Sequence, residues 1–141
     1  MSFSGGLALP IASMMLLTLI VWVVLFIKRI GFMQTHQVDV AEMKAPEDTR
    51  RLIPGAPSAP ADNLNNLSEL PIVFYAVCFY LTVFTQVDQL HVICAWVFVG
   101  FRAVHSLIHC TYNTVMHRFM AYLLSSIALW VMVVRAFLAA V

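Results

Sequence analysis

The chain has 141 residues, of which 62% are apolar and only 11% charged. A soluble fold this small leaves much of its surface outside any core, so this much apolar side chain needs lipid as its remaining solvent. The formal net charge of +1 comes from scattered basic residues; that excludes the electrostatic footprint of a nucleic-acid-binding protein and leaves one integral membrane domain over residues 1–141 as the expectation.

The first element is an apolar run from Leu7 to Ile27 with no ionisable residue. It is long enough for a hydrocarbon core of about 30 Å and lacks a small-residue cleavage pattern, so it is expected as a retained spanning helix and not a signal peptide. The stretch Lys28 to Asn63 mixes charges of both signs with Pro46, Pro54, Pro57 and Pro60. It is predicted as a loop, and the Pro-rich run from Pro54 to Pro60 as non-helical. Because the loop carries Lys28, Arg29, Lys44, Arg50 and Arg51, it belongs on the cytoplasmic side, with both termini periplasmic.

The second span is predicted over Leu64 to Val87, with Asp62 as its N-cap. Asn66 and Glu69 are three residues apart and so share a face, and Pro71 frees a backbone carbonyl beside them. The third span, His91 to Cys110, carries Arg102, Ser106, His109 and then Asn113 at helical spacing, with His105 on the flank. That stripe is expected to face inward, since a guanidinium turned to lipid is costly, and Glu69 is the one carboxylate within a span available to pair with Arg102. Cys78, Cys94 and Cys110 all fall inside spans at no metal-site or disulfide spacing and read as small apolar fillers.

The fourth span, Arg118 to Ala140, opens with Arg118, Tyr122 and Ser125 on one face. A fixed guanidinium, the N–H groups of a helix N-terminus and a phenol together suit an anion, above all a thiolate, whose pKa falls beside positive charge. Arg135, near the other end, is expected to snorkel. The short second and third connections predict consecutive helices lying antiparallel side by side, hence an all-α, up-and-down bundle of four transmembrane helices. Plainer readings stand beside the functional one: Arg118 as an interfacial anchor, Glu69 with Arg102 as a structural ion pair, and His105 with His109 as packing residues and not metal ligands.

Four short motifs, in order, resemble a known family. Asn66-Leu-Ser-Glu69 resembles its N-x-x-E at the second helix, and Arg102-Ala-Val-His105-Ser its R-x-x-H-[ST] in the third. Arg118-Phe-Met-Ala-Tyr122 resembles the R-x-x-x-Y that opens the fourth, and Pro46-Glu47-Asp48-Thr-Arg50 is similar to a P-E-D run in the loop of some members. The family is MAPEG, the membrane-associated proteins in eicosanoid and glutathione metabolism, which includes microsomal glutathione transferases and prostaglandin E synthase. The run from Arg102 to Arg118 looks most like the bacterial branch, which implies a bacterial inner membrane.

The resemblance implies a homotrimer with glutathione as co-substrate, bound between subunits near the cytoplasmic face. Arg118 would hold the thiolate, Asn66 and Glu69 the polar groups of the peptide, and Arg102, His105, His109 and Tyr122 would line the site. Asp48 would assist proton transfer. The chain departs from the eicosanoid-acting members at Pro60 to Asn63, where they carry arginines, and at His109, where a tyrosine is common. Arg50, Arg51 or Lys28 would have to supply the missing contact. The implied function is a glutathione-dependent transferase or peroxidase acting on lipophilic small molecules drawn from the lipid bilayer; the alternative is a non-catalytic membrane protein that binds lipid or a partner complex.

Overall fold

The computed structural model describes residues 6–141. Its first helix, α1 (Ala8–His36), begins in the expected apolar run but does not stop at Ile27. Lys28 to His36 contains no proline, so nothing ends the helix where the lipid ends. It closes at Gln37, which takes a left-handed conformation at φ 51° and returns its N–H to the Met33 carbonyl. Only a narrow stripe of α1, Pro10, Met14, Val21 and Leu25, is buried. Ile11 and Leu17 pack partly against the core, and most of the remaining apolar surface of α1 faces outward.

The segment read as a loop is largely helical. A 3-10 turn, Val40–Glu42, is capped by the Asp39 carboxylate, which accepts the Ala41 N–H at 2.9 Å. Two short helices follow, α2 (Pro46–Leu52) and α3 (Ala59–Leu67), each with a proline in its first two positions. Proline suits that place because the N–H it lacks would have no intrahelical acceptor there. The Pro-rich run therefore turns at Gly55 (φ 76°) but ends inside a helix, since Pro60 belongs to α3. Ser58 occupies the N-cap position expected of Asp62, which lies within the helix.

The second span consists of α3 and α4 (Leu70–Val83), interrupted at Ser68 and Glu69. It ends at Val83 and not at Val87, because Thr85 turns left-handed (φ 53°) and the Gln86 N–H reaches back to the Leu81 carbonyl. The third span, α5 (Gln89–Cys110), starts at an Asp88 N-cap that accepts the His91 N–H at 2.9 Å. The fourth, α6 (Val115–Ala140), begins one turn ahead of the expected Arg118.

Together the four apolar spans make an all-α, four-helix membrane bundle. α6 lies against α5 and α4, and α1 against α3 and α5. As expected of consecutive spans, α5 and α6 lie side by side; the second span meets α5 directly through α3, whereas α4 approaches α5 mainly through side chains across the core, with Phe74 stacked on Phe98 at 4.5 Å. Around that pair pack Met14, Cys78, Leu81, Ala95, Leu129 and Met132, all fully buried. Lipid tails are as apolar as these side chains, so close van der Waals packing holds the bundle together more than exclusion of water does.

Candidate functional site

Along α5 the polar residues collect on the face turned to the interior. Arg102, His105, Ser106 and His109 are all buried, Arg102 completely, whereas Val104 and Leu107 face outward. The 100° turn per residue explains the grouping. Asn113, expected in the same stripe, lies past the helix end, exposed and with φ 53°.

The guanidinium of Arg102 sits 4.9 Å from the centre of the Tyr122 ring and 5.6 Å from that of Phe98. Such cation–π contacts compensate partly for lost water, but none of its three nitrogens has a hydrogen-bond partner among the described residues. The expected ion pair with Glu69 does not form: Glu69 stands at the interruption between α3 and α4, exposed to the surroundings. A helix running straight from Leu64 would have carried it on the Asn66 face; the break at Ser68 takes it off that face.

His105 donates from Nδ1 to the Arg118 carbonyl at 3.0 Å, since a carbonyl can only accept. Its Nε2 is thereby left as the acceptor, buried and unpartnered. The His109 ring lies parallel at 5.7 Å, and its Nδ1 is likewise buried without a partner. These stacked rings do not converge on one point, and among the described residues no group of three His, Cys, Asp or Glu side chains is placed to hold a metal ion. Tyr122 is half-buried, one turn along α6 from Arg118. Arg118, also half-buried, donates to the Asn113 side-chain oxygen at 2.6 Å.

The fold thus gathers Arg102, His105, His109, Tyr122 and the backbone of Arg118. Among the described residues, no hydrogen bond or ion pair joins Asn66, Glu69 or Asp48 to that group. Asn66 is half-buried near the end of α3, and Asp48 serves its own helix: its carboxylate accepts the Ala45 N–H at 3.2 Å and faces Arg51 at 3.7 Å.

Sequence reasoning missed two polar links. Asn63, completely buried, accepts from the Ser106 hydroxyl at 3.3 Å and faces the Cys110 sulfur at 3.7 Å, tying α3 to α5. Lys28 donates to the Cys110 carbonyl, joining α1 to the end of α5. At the opposite end of the bundle the partly exposed Arg135 side chain reaches the connection before α5 and pairs with Asp88, whose other oxygen lies 2.8 Å from His91 Nδ1. The His91 backbone N–H, then the charges of His91 and Arg135, hold the Asp88 carboxyl below its usual pKa. The D-x-x-H spacing at a helix start was the available signal.

A protein-family model described as MAPEG family matches residues 7–138. No curated protein and no solved structure matches the chain.

Proposed function

Because the chain belongs to the MAPEG family, we propose that it is a glutathione-dependent transferase or peroxidase of the membrane, acting on lipophilic electrophiles. One observation carries this reading: the buried, unpartnered nitrogens of Arg102, His105 and His109, next to the first turn of α6. Each buried donor or acceptor left without a partner costs about 1–3 kcal/mol, and a charged one more. A protein retains such a cluster where something outside the protomer supplies the partners. Glutathione fits by chemistry, with carboxylates and amides for the donors and acceptors.

When bound, glutathione supplies a thiolate that forms a sulfur–carbon bond while the leaving group departs with its electron pair. Arg118 and the free N–H groups of the α6 first turn stabilise that negative charge. Arg102 pairs with a carboxylate, and the His105 Nε2 acceptor takes an N–H. Asn66 and Glu69, not engaged with this cluster, meet the ligand from the α3–α4 interruption, and Asp48 takes part in proton transfer. Tyr122, half-buried with its ring 4.9 Å from the Arg102 guanidinium, gives the cluster an edge at the surface. The lipid-facing helices bring the apolar partner. The reading further places three copies around shared sites, with the Lys- and Arg-rich loop on the cytoplasmic side of a bacterial inner membrane.

Calorimetric titration of glutathione into the protein in nanodiscs tests this, together with thiolate absorbance. The expected result is saturable binding, with Arg118→Ala abolishing the thiolate signal and weakening affinity about tenfold, or 1.4 kcal/mol. Absence of binding in folded protein would overturn the reading in favour of a non-catalytic lipid-binding or partner-binding role.

A further inference from the structure

A second polar site lies apart from the Arg102 cluster. Between the C-terminal end of α1, the 3-10 turn, α2 and α3 is a cavity of about 390 Å³ lined by Arg29, Lys44, Arg50, Asp62 and Asn65, among others. It shares no lining residue with the Arg102 cluster. Its charges do not balance. Arg50 is paired with Asp62 at 3.4 Å, but no ion pair engages Arg29 or Lys44 among the described residues, and the Arg29 Nε is buried without a partner. Two cations therefore face one cavity whose carboxylate, Asp62, is already paired with Arg50.

The depth of this cavity identifies the source of the missing anion. At about 1.5 Å per residue, the apolar part of α1 ahead of Lys28 spans roughly 30 Å, one hydrocarbon core. Arg29 follows immediately and so stands at the level of lipid headgroups, where phosphate is the abundant anion. A guanidinium presents paired N–H donors that match phosphate oxygens, and Lys44 adds a point charge. The volume is several times that of a phosphate, leaving room for an attached glycerol-sized group.

We propose that the Arg29–Lys44 cavity is a binding site for a phosphate ester, supplied by the headgroup of an anionic phospholipid. Arg50 offsets the Asp62 carboxylate, so the lining with Arg29 and Lys44 stays net positive. Apart from Arg50, the site shares no lining residue with those the glutathione reading uses.

The test uses delipidated full-length protein with three probes: phosphatidylglycerol in phosphatidylcholine nanodiscs, soluble glycerol phosphate, and glutathione. Thermal unfolding and lipid retention in native mass spectrometry are the readouts. Phosphatidylglycerol is expected to raise the unfolding temperature and to remain bound, with retention falling at least fivefold in Arg29→Gln/Lys44→Gln. Arg29→Lys is expected to recover much of it, and Arg51→Gln, outside the cavity, to leave it unchanged. Stabilisation by glycerol phosphate, lost in the same double variant, would support the phosphate site but assign it a soluble ligand. Equal retention in the double variant, or displacement of the lipid by glutathione, would overturn the proposal. Glutathione binding that survives in the double variant separates this outcome from failure of the Arg102 site.

Discussion

Asp88 does three things with one carboxylate: it caps α5, holds His91 and pairs with Arg135 across to α6. Its folded-state pKa lies below the ordinary value, so its contribution to stability is fully present above the unfolded pKa of about 3.9 and is lost as the pH falls through that value toward the folded one. Thermal unfolding in detergent is therefore expected to be insensitive to this group near neutrality and to weaken below about pH 4. Asp88→Asn keeps the cap, since asparagine caps as well as aspartate, and should remove that acid-dependent loss. Asp88→Ala should cost about 1 kcal/mol at neutral pH as well. An acid profile of Asp88→Asn identical to that of the wild type would remove Asp88 from the account. The inward polar face of α5 was legible in the sequence at the same scale, because a regular helix fixes the angle between Arg102, Ser106 and His109. The partner of Arg102 was not legible: whether Glu69 reaches it depends on a helix break that residue spacing does not encode.

Helices and spans are different objects, and the differences between expectation and structure follow from that. Hydropathy marks where lipid ends, which is why Ile27 looked like a boundary. The α1 helix ends where its hydrogen bonding does, at Gln37. A left-handed conformation costs a non-glycine residue roughly 1–2 kcal/mol, so Gln37→Gly should raise stability by up to about 1 kcal/mol after the added flexibility of the unfolded chain is counted. Unfolding followed by helical circular dichroism checks this; a lower midpoint would mean that the Gln37 side chain contributes more than its backbone loses. The four spans were legible because each is a long apolar run. Helices α2 and α3 were not, because prolines that stop a helix from within also start one from its first turn, and Pro46 and Pro60 act in the second way.

For the molecule as a whole, the question is what covers its apolar exterior and its buried charge. Leu9, Leu16, Leu19, Ile20 and Phe26 on α1, with Phe79 on α4, are all exposed, and lipid or a neighbouring copy would satisfy them equally. Apolar area therefore says little about the proposed trimer. Arg102 says more, because it has no exposure at all in the protomer, so a ligand or a neighbouring copy reaches it only when the packing around it shifts. Replacing a buried, unpaired guanidinium with an apolar side chain of similar length removes a desolvation penalty, and such changes are often neutral or stabilising. Arg102→Met is thus expected to unfold no earlier than the wild type and to keep its oligomeric state in native mass spectrometry, while its glutathione affinity falls tenfold or more. Dissociation of Arg102→Met into single copies would mean that the missing acceptor comes from a neighbouring chain and that assembly itself rearranges the packing around Tyr122. Retained assembly with lost binding would leave a small anionic ligand as the partner that this buried charge is kept for.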